Sequence, residues 1–365
     1  MSSAASKAAT VTTTAAAKAA AVTATVASQA AGSALTSAKV GYTNASAAVL
    51  TVLQPLLTYV EANPHVVAGV AALLFIPFIL QLVNGKIQKS AWAYRALFVV
   101  TFVLNVVSVS VPGRFDSMAV VDKKTGKVVA YPWETLFAPA GWAFAIWGVI
   151  YVGELLLTTH VAVLGKPVVA LKKAATFWAA GNLFQSLWCG VFRPRFKDTL
   201  WLPMLCLAAG SASLLGAHNE ITKTIYPWSS VWEKAGLVLM RSPISLHATW
   251  LTAASLLNLN GWAAVAQTSV ATQTAVAFFS SYLAAAAGTF FSVTRGDPLI
   301  AFTVAWALAA LSARTLEDGK ARIKGGKKGA APLAVIESLA LTEKVLSRAM
   351  VVLGVAAPTL ARNLF

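Results

Sequence analysis

The residues of this sequence that are best placed to do chemistry are large aromatic side chains that share a helical face with a polar or ionisable one. Three segments show this pattern, with positions three or four residues apart that fall on one face of a helix. Indole rings stack on flat apolar ligands, and polar groups fix the orientation of such ligands. The three faces are Phe144, Trp147, Tyr151 and Glu154; Trp178, Asn182, Gln185 and Cys189, with Trp188 adjoining; and Pro243, His247, Trp250, Ala254 and Asn258.

Glu154 and His247 are the ionisable side chains of these faces. A buried histidine beside an indole is suited to ligate the metal of a bound ligand through a neutral ring nitrogen, or to bond a neighbouring helix. Glu154 is suited to a proton relay or to pairing with a ligand cation. It also lies roughly 9 Å from His160 along a helix, within reach of a membrane surface. The residues alone leave these alternatives open.

The sequence lacks the motifs of the common enzyme classes. It has no HExxH, no GxSxG and no phosphate-binding loop, and no span carries two carboxylates. Cys189 and Cys206 lie in separate apolar segments without metal-ligand spacing. We therefore predict a protein that is not an enzyme, with no structural metal and no firmly assigned cofactor.

The composition requires a membrane environment for the helices that carry these faces. Of 365 residues, 58% are hydrophobic and 12% are charged, with a mean hydropathy of +0.69. Soluble proteins have roughly 25% charged residues, so this chain could not cover a soluble surface. The net charge of +16 comes mostly from loops, where basic residues face lipid headgroups. The sequence predicts the lipid bilayer as a partner, excludes a soluble enzyme and does not favour nucleic acid.

The apolar segments predict an all-α, polytopic helical bundle. A spanning helix needs about 20 apolar residues. The last two candidate spans are joined by a polar turn at 294–298 and form a predicted hairpin. The eight candidate spans are 64–84, 92–111, 138–159, 174–192, 200–216, 242–264, 275–293 and 299–315.

Both ends of the chain differ in composition from the bundle. Residues 1–60 are rich in Ala, Ser and Thr and contain no acidic residue. This favours a transit peptide for a plastid or mitochondrial membrane, with a low-complexity tail as the alternative. Residues 317–329 are basic and rich in glycine, which predicts a linker. Residues 336–353 repeat apolar positions at helical spacing between charged ones, which predicts an interfacial amphipathic helix.

The three faces lie in segments that resemble a known family. Residues 137–151, FAPAGWAFAIWGVIY, resemble the second-helix signature of the tryptophan-rich sensory protein family (TspO/MBR, the translocator protein family). Residues 182–188 are similar to its third-helix segment, and residues 243–258 to its fifth-helix segment. The three motifs occur in the family's order within residues 92–264.

The resemblance implies a five-helix core over residues 92–264 and a ligand pocket for tetrapyrroles, or sterols in some members. Residues 61–91 would add one membrane helix, residues 265–316 a hairpin and residues 317–365 a linker and amphipathic helix. The resemblance also implies that Trp147, Trp250 and the polar residue of the third helix line the pocket. The predicted ligand-binding residues are Trp142, Phe144, Trp147, Tyr151, Asn182, Gln185, Trp188, His247, Trp250 and Asn258, with Glu154 as a polar or relay residue.

The sequence departs from the family pattern at three places. Gln185, rather than Asn, lies three residues before Trp188, and Asn182 lies one turn earlier. His247 occupies a position where the family usually has Tyr. Two residues, not three, separate Phe144 from Trp147. These departures indicate a distant subgroup.

We therefore predict a multipass membrane protein that binds a planar hydrophobic ligand for sensing, sequestration or transfer. A small-solute transporter is one alternative, favoured by Glu154 and the extra hairpin. A structural or assembly subunit of a pigment-containing membrane complex is another, and association as a homodimer or in a larger complex fits either. Tetrapyrrole breakdown is the one enzymatic alternative. The faces also fit plain helix packing, with their polar groups bonding between helices.

Overall fold

A computed structural model describes residues 82–115, 135–164, 168–225, 231–266, 268–324 and 331–364, together with residues 54, 58, 75, 78 and 80. The predictions for residues 1–60 and for the span 64–84 therefore fall almost entirely outside the described residues. Every regular element in the described ranges is helical. The predicted all-α class is confirmed.

Seven of the eight helices named here correspond to the predicted spans from 92–111 to 299–315, and α8 covers the predicted amphipathic helix. A 3-10 turn, Gly141–Ala145, precedes α2, and a π turn, His160–Leu164, follows it. The helices are α1 Ala91–Ser110, α2 Ile146–Thr159, α3 Val169–Val191, α4 Trp201–Ile225, α5 Val231–Val265, α6 Val270–Arg295, α7 Pro298–Lys324 and α8 Leu333–Leu364.

Among the described residues, five helical segments are long and apolar enough to cross a membrane. Helices α3 and α5 do not meet the same criterion, although both were predicted as spans. Both carry polar side chains that are buried against other helices rather than turned to lipid, as is usual for polar groups in a membrane bundle. The five candidate spans are Ala91–Ser110, Gly141–Val163, Trp201–Lys223, Val270–Arg295 and Pro298–Thr315.

Local signals in the sequence set several helix ends. Ser90 caps α1, because its Oγ accepts a hydrogen bond from the Ala93 N–H at 3.1 Å. Gly296 ends α6 with a φ of 58°, a left-handed conformation that glycine adopts without steric cost. Pro298 then begins α7, where its missing N–H costs nothing. The predicted turn between the last two spans is confirmed.

The core of the bundle depends on close approach between α3 and its neighbours. Fourteen residues of α3 are buried, including Trp178, Asn182 and Gln185. A Cβ atom at Gly181 would lie 2.5 Å from Cγ of Leu214 on α4, so only glycine permits this contact. Helix α3 is thus held inside the bundle, with its polar face turned to other helices.

The C-terminal region differs from the prediction in two ways. Helix α7 continues to Lys324, so residues 317–324 of the predicted linker are helical. Helix α8 lies alongside the candidate span Pro298–Thr315 and antiparallel to it, rather than across its end as an interfacial helix would. The Ser347 Oγ donates to the Ala305 carbonyl at 2.8 Å, and the Ser312 Oγ donates to the Ala340 carbonyl at 2.7 Å.

Candidate functional site

A buried pair of ionisable side chains joins α2 to α5. Nδ1 of His247 lies 2.6 Å from Oε1 of Glu154, and both side chains are fully buried. Nε2 of His247 and Oε2 of Glu154 have no hydrogen-bond partner among the described residues. Burial rules out a snorkelling position for Glu154. His247 therefore forms a hydrogen bond to a neighbouring helix, which was one of its two predicted roles. One polar atom of each side chain has no partner among the described residues.

A cluster of aromatic rings that includes Trp147 and Trp250 lies next to this pair. The Trp147 ring lies edge-on to the His247 ring, with 5.6 Å between centroids, and stacks on Tyr151 at 5.4 Å. The Trp147 and Trp250 rings meet at 6.3 Å, nearly perpendicular. Phe144 contacts Trp250 at 5.9 Å in the same edge-on manner. Two of the three predicted faces therefore meet, through rings placed as aromatic pairs usually are.

The third predicted face meets the site through amide side chains. The Gln185 Nε2 donates to the Tyr151 hydroxyl at 3.0 Å. The Asn105 Nδ2 donates to Oδ1 of Asn182 at 2.8 Å and to Oε1 of Gln185 at 2.7 Å. These bonds connect α1, α3 and α2. Asn105 was not predicted, although it is the single amide side chain in the span 92–111, which is a signal for an inward-facing polar group.

Three predicted site residues lie away from this arrangement. Trp188 stacks on Phe192 at 5.1 Å. Trp142 is 46% exposed and contacts Trp306 edge-on. Asn258 is buried, but its Nδ2 donates to the Ala254 carbonyl of its own helix. Trp142, Trp188 and Asn258 were predicted to bind the ligand with the other site residues, but Trp188 is turned toward Phe192 at the end of α3.

The space beside the aromatic cluster is small. A pocket on the outer side of Trp250 holds about 30 Å³, room for little more than a water molecule. Sites for small organic ligands usually hold about 300–1,000 Å³. The helices are therefore closed at this pocket, which has too little room for such a ligand. The pocket is lined by residues that include Phe137, Pro139, Phe144, Trp250, Leu257 and Leu311.

A second buried polar cluster surrounds the turn between α6 and α7, and the sequence did not predict it. Oδ2 of Asp297 lies 2.7 Å from Nε2 of His218 and 3.2 Å from Nε of Arg241, and it accepts a bond from the Ser245 Oγ at 2.6 Å. Burial raises the pKa of the Asp297 carboxyl, but hydrogen bonding by His218 and the charge of Arg241 outweigh burial and lower this pKa to about 2. The cluster connects the α6–α7 hairpin to α4 and α5 through these bonds.

These features define a class of protein: an integral, polytopic all-α membrane protein with aromatic and ionisable side chains buried between its helices. A family model described as TSPO-like protein matches residues 91–336, more than half of the chain. The chain belongs to the TSPO-like family. The predicted resemblance is confirmed, and the match includes the α6–α7 hairpin, which was predicted to lie outside the family core.

Two other comparisons give no match. A comparison with curated proteins and a comparison with solved structures each found no match.

Proposed function

We propose that this protein binds a planar hydrophobic ligand, a tetrapyrrole, between α2 and α5, for sensing, sequestration or transfer. The observation that carries the proposal is the buried His247–Glu154 pair beside the indoles of Trp147 and Trp250. Family membership supports it. In this proposal the protein holds the ligand and does not transform it, and the composition of residues 1–60 favours a plastid or mitochondrial membrane.

The unpaired nitrogen of His247 favours a tetrapyrrole that carries a metal. When Nδ1 donates its proton to Glu154, Nε2 keeps a free lone pair. Metal-ligating histidines commonly have this arrangement, in which a carboxylate orients the ring and raises the basicity of the ligating nitrogen. His247 would hold the metal, and the indoles would contact the macrocycle.

Binding requires α2 to move away from α5, because the pocket beside Trp250 has too little room for a macrocycle. Helix α2 has irregular helical turns at both ends, a 3-10 turn before it and a π turn after it. These turns interrupt the regular α-helix, and π turns are frequent at functional sites. The outward face of α2, including Val149, Val152 and Leu156, is exposed, so no other described helix blocks its movement.

The test is a titration of the purified full-length protein with iron protoporphyrin IX and with metal-free protoporphyrin IX. We expect saturable quenching of Trp fluorescence by both, and a shifted Soret band for the iron form. Trp250→Ala should weaken binding of both porphyrins. Trp92→Ala, at an indole that is 79% exposed on α1, is the matched control and should leave binding unchanged.

His247→Gln separates the metal contact from binding itself. This variant should lose the Soret shift with iron protoporphyrin IX and keep its affinity for the metal-free porphyrin. Unsaturable quenching that is equal in the wild type, Trp147→Ala and Trp250→Ala would overturn the proposal.

A small-solute transporter is the second candidate, and the buried ionisable groups of α5 favour it. His247 pairs with Glu154, and Arg241, six residues earlier on the same helix, pairs with Asp297. Ionisable groups inside membrane bundles often mark the path of a proton or solute. Solute-dependent proton flux in proteoliposomes that is lost in Glu154→Gln would favour this candidate over the binding protein.

A further inference from the structure

A groove between α7 and α8 shares no lining residue with the pocket beside Trp250 and carries two positive charges. It has a volume of about 520 Å³, which is within the usual range for ligand sites. Small side chains form much of its wall, and Lys344 and Arg348 lie on one side, one helical turn apart. The wall includes Ala309, Ser312, Ala340, Leu341, Lys344 and Arg348.

Neither positive charge is paired with an acidic side chain among the described residues. Lys344 and Arg348 are exposed and form no hydrogen bond or ion pair with the described residues. Glu343 is buried on the opposite side of α8, where its Oε1 accepts a bond from the Ser281 Oγ at 3.4 Å. Glu337 also lines the groove, but it lies seven residues before Lys344, about 10 Å along the helix. The part of the groove next to Lys344 and Arg348 is therefore positively charged.

The groove is at membrane depth and opens to lipid. Helix α8 is tied alongside the candidate span Pro298–Thr315 by the Ser312 and Ser347 hydrogen bonds. The side chains of Leu341, Val345 and Val352 are exposed next to the two cations, so this surface of α8 contacts acyl chains. An uncompensated cation at this depth is costly unless it reaches the headgroup region or finds an anion.

The direction of the helix brings both cations toward one membrane surface. Cα–Cβ bonds in a helix tilt toward its N-terminus. The N-terminal end of α8 lies beside the Thr315 end of the candidate span, because the two helices are antiparallel. Lys344 and Arg348 therefore extend toward that surface, as snorkelling side chains do.

We propose that this groove binds one anionic glycerophospholipid, with its phosphate between Lys344 and Arg348 and an acyl chain along the exposed Val352 and Val355, toward the centre of the bilayer. Charge complementarity and an apolar wall open to the bilayer select this ligand. Basic pockets between membrane helices bind anionic headgroups in this way.

The experiment uses the full-length protein in detergent, with bound phosphatidylglycerol measured by native mass spectrometry against phosphatidylcholine. We expect one retained phosphatidylglycerol molecule and a weaker affinity for phosphatidylcholine. Removal of a single charge, by Lys344→Gln or Arg348→Gln, should weaken phosphatidylglycerol binding about fivefold, and removal of both about 25-fold. Arg362→Gln is the matched control, since Arg362 is exposed on α8 but does not line the groove.

Two further measurements test whether the charge, and the lipid rather than free phosphate, determine binding. Lys344→Arg and Arg348→Lys keep both charges and should bind within about twofold of the wild type, whether or not the neutral variants fold. Free inorganic phosphate should not displace the lipid at equal concentration. Equal binding of the two lipids by the wild type, wild-type affinity in the folded double variant, loss of binding in both charge-preserving variants, or displacement by free phosphate would overturn the proposal.

Discussion

Nδ1 of His247 lies 2.6 Å from Oε1 of Glu154, and this contact joins α5 to α2 although the residues are 93 positions apart. Two ionisable side chains lose their hydration at this point, and each keeps one atom without a hydrogen-bond partner among the residues that the structure describes. A buried pair of this kind does not by itself stabilise a fold strongly, but breaking it leaves one ionisable group alone. The pair therefore fixes the position of α2 relative to α5 more than it raises the free energy of unfolding.

A double-mutant cycle measures this coupling. Glu154→Leu should lower the free energy of unfolding by about 1–3 kcal/mol, because it leaves His247 without a partner. His247→Phe should lower it by about 3–5 kcal/mol, because it leaves a buried carboxyl alone. The double variant should lose less than the sum, as measured by unfolding in detergent. Strictly additive losses would show that the two side chains do not interact.

The amide network predicts a cost for removing Asn105. Asn105→Ala leaves the oxygens of Asn182 and Gln185 without their donor at fully buried positions. Unfolding in detergent should show a loss of about 1–2 kcal/mol. Ser110→Ala on the same helix is the control, because Ser110 bonds only to its own helix and is exposed. An equal effect of the two substitutions would argue against the network.

Substitutions at two glycines of α2 distinguish the effect of helix propensity from the effect of contact between helices. A Cβ atom at Gly153 would lie 2.9 Å from Cβ of Pro243 on α5, whereas Gly148 has open space around its Cα. Gly153→Ala should destabilise the protein by about 1–3 kcal/mol through overpacking. Gly148→Ala should stabilise it by about 0.5–1 kcal/mol. If α2 moves to admit the ligand, Gly153→Ala should also change porphyrin affinity, and Gly148→Ala should not.

The polar cluster at the hairpin turn predicts an acid-sensitive contribution to stability. Asp297→Asn leaves Arg241 buried without a counter-charge and should cost about 3–5 kcal/mol near neutral pH. The native pKa of Asp297 is about 2, below the ordinary value of 3.8. Its contribution to the free energy of unfolding is therefore present above pH 3.8 and is lost as the pH falls through about 2.

Unfolding measured between pH 5 and pH 2 should show this loss in the wild type and a flatter curve in Asp297→Asn. Glu220→Gln is the control, since it removes a pair with the exposed Lys223 and should change stability by less than about 1 kcal/mol. A pH profile shared by the wild type and Asp297→Asn would contradict the assignment.

Local patterns were sufficient to predict the helices and the family. The span 92–111 corresponds to Ala91–Ser110, and the turn at 294–298 corresponds to Gly296 in its left-handed conformation. Helix α3 was predicted from its apolar segment, although its amides lower its hydropathy. These features depend on residues close together in the chain, such as caps, turn residues and the length of an apolar run.

The residues whose contacts the sequence did not predict have a different physical explanation. Trp188 and Gln185 lie three positions apart on α3, yet Gln185 bonds to Tyr151 while Trp188 stacks on Phe192. The sequence around Asp297 indicates an ordinary turn, but the partners of Asp297 lie on α4 and α5. Periodicity states which side chains share a helix face, but it does not state how that helix is rotated or how deep it lies relative to another.

The amino-acid sequence by itself determined that this is an all-helical membrane protein with three aromatic and polar faces, because helix formation and burial in lipid follow from local composition and spacing. Only the tertiary structure decided that the faces of α2 and α5 meet through Glu154 and His247, that Trp188 and Trp142 lie elsewhere, and that the site is closed. Those outcomes depend on contacts between helices far apart in the chain, where a small rotation of one helix replaces one neighbour by another.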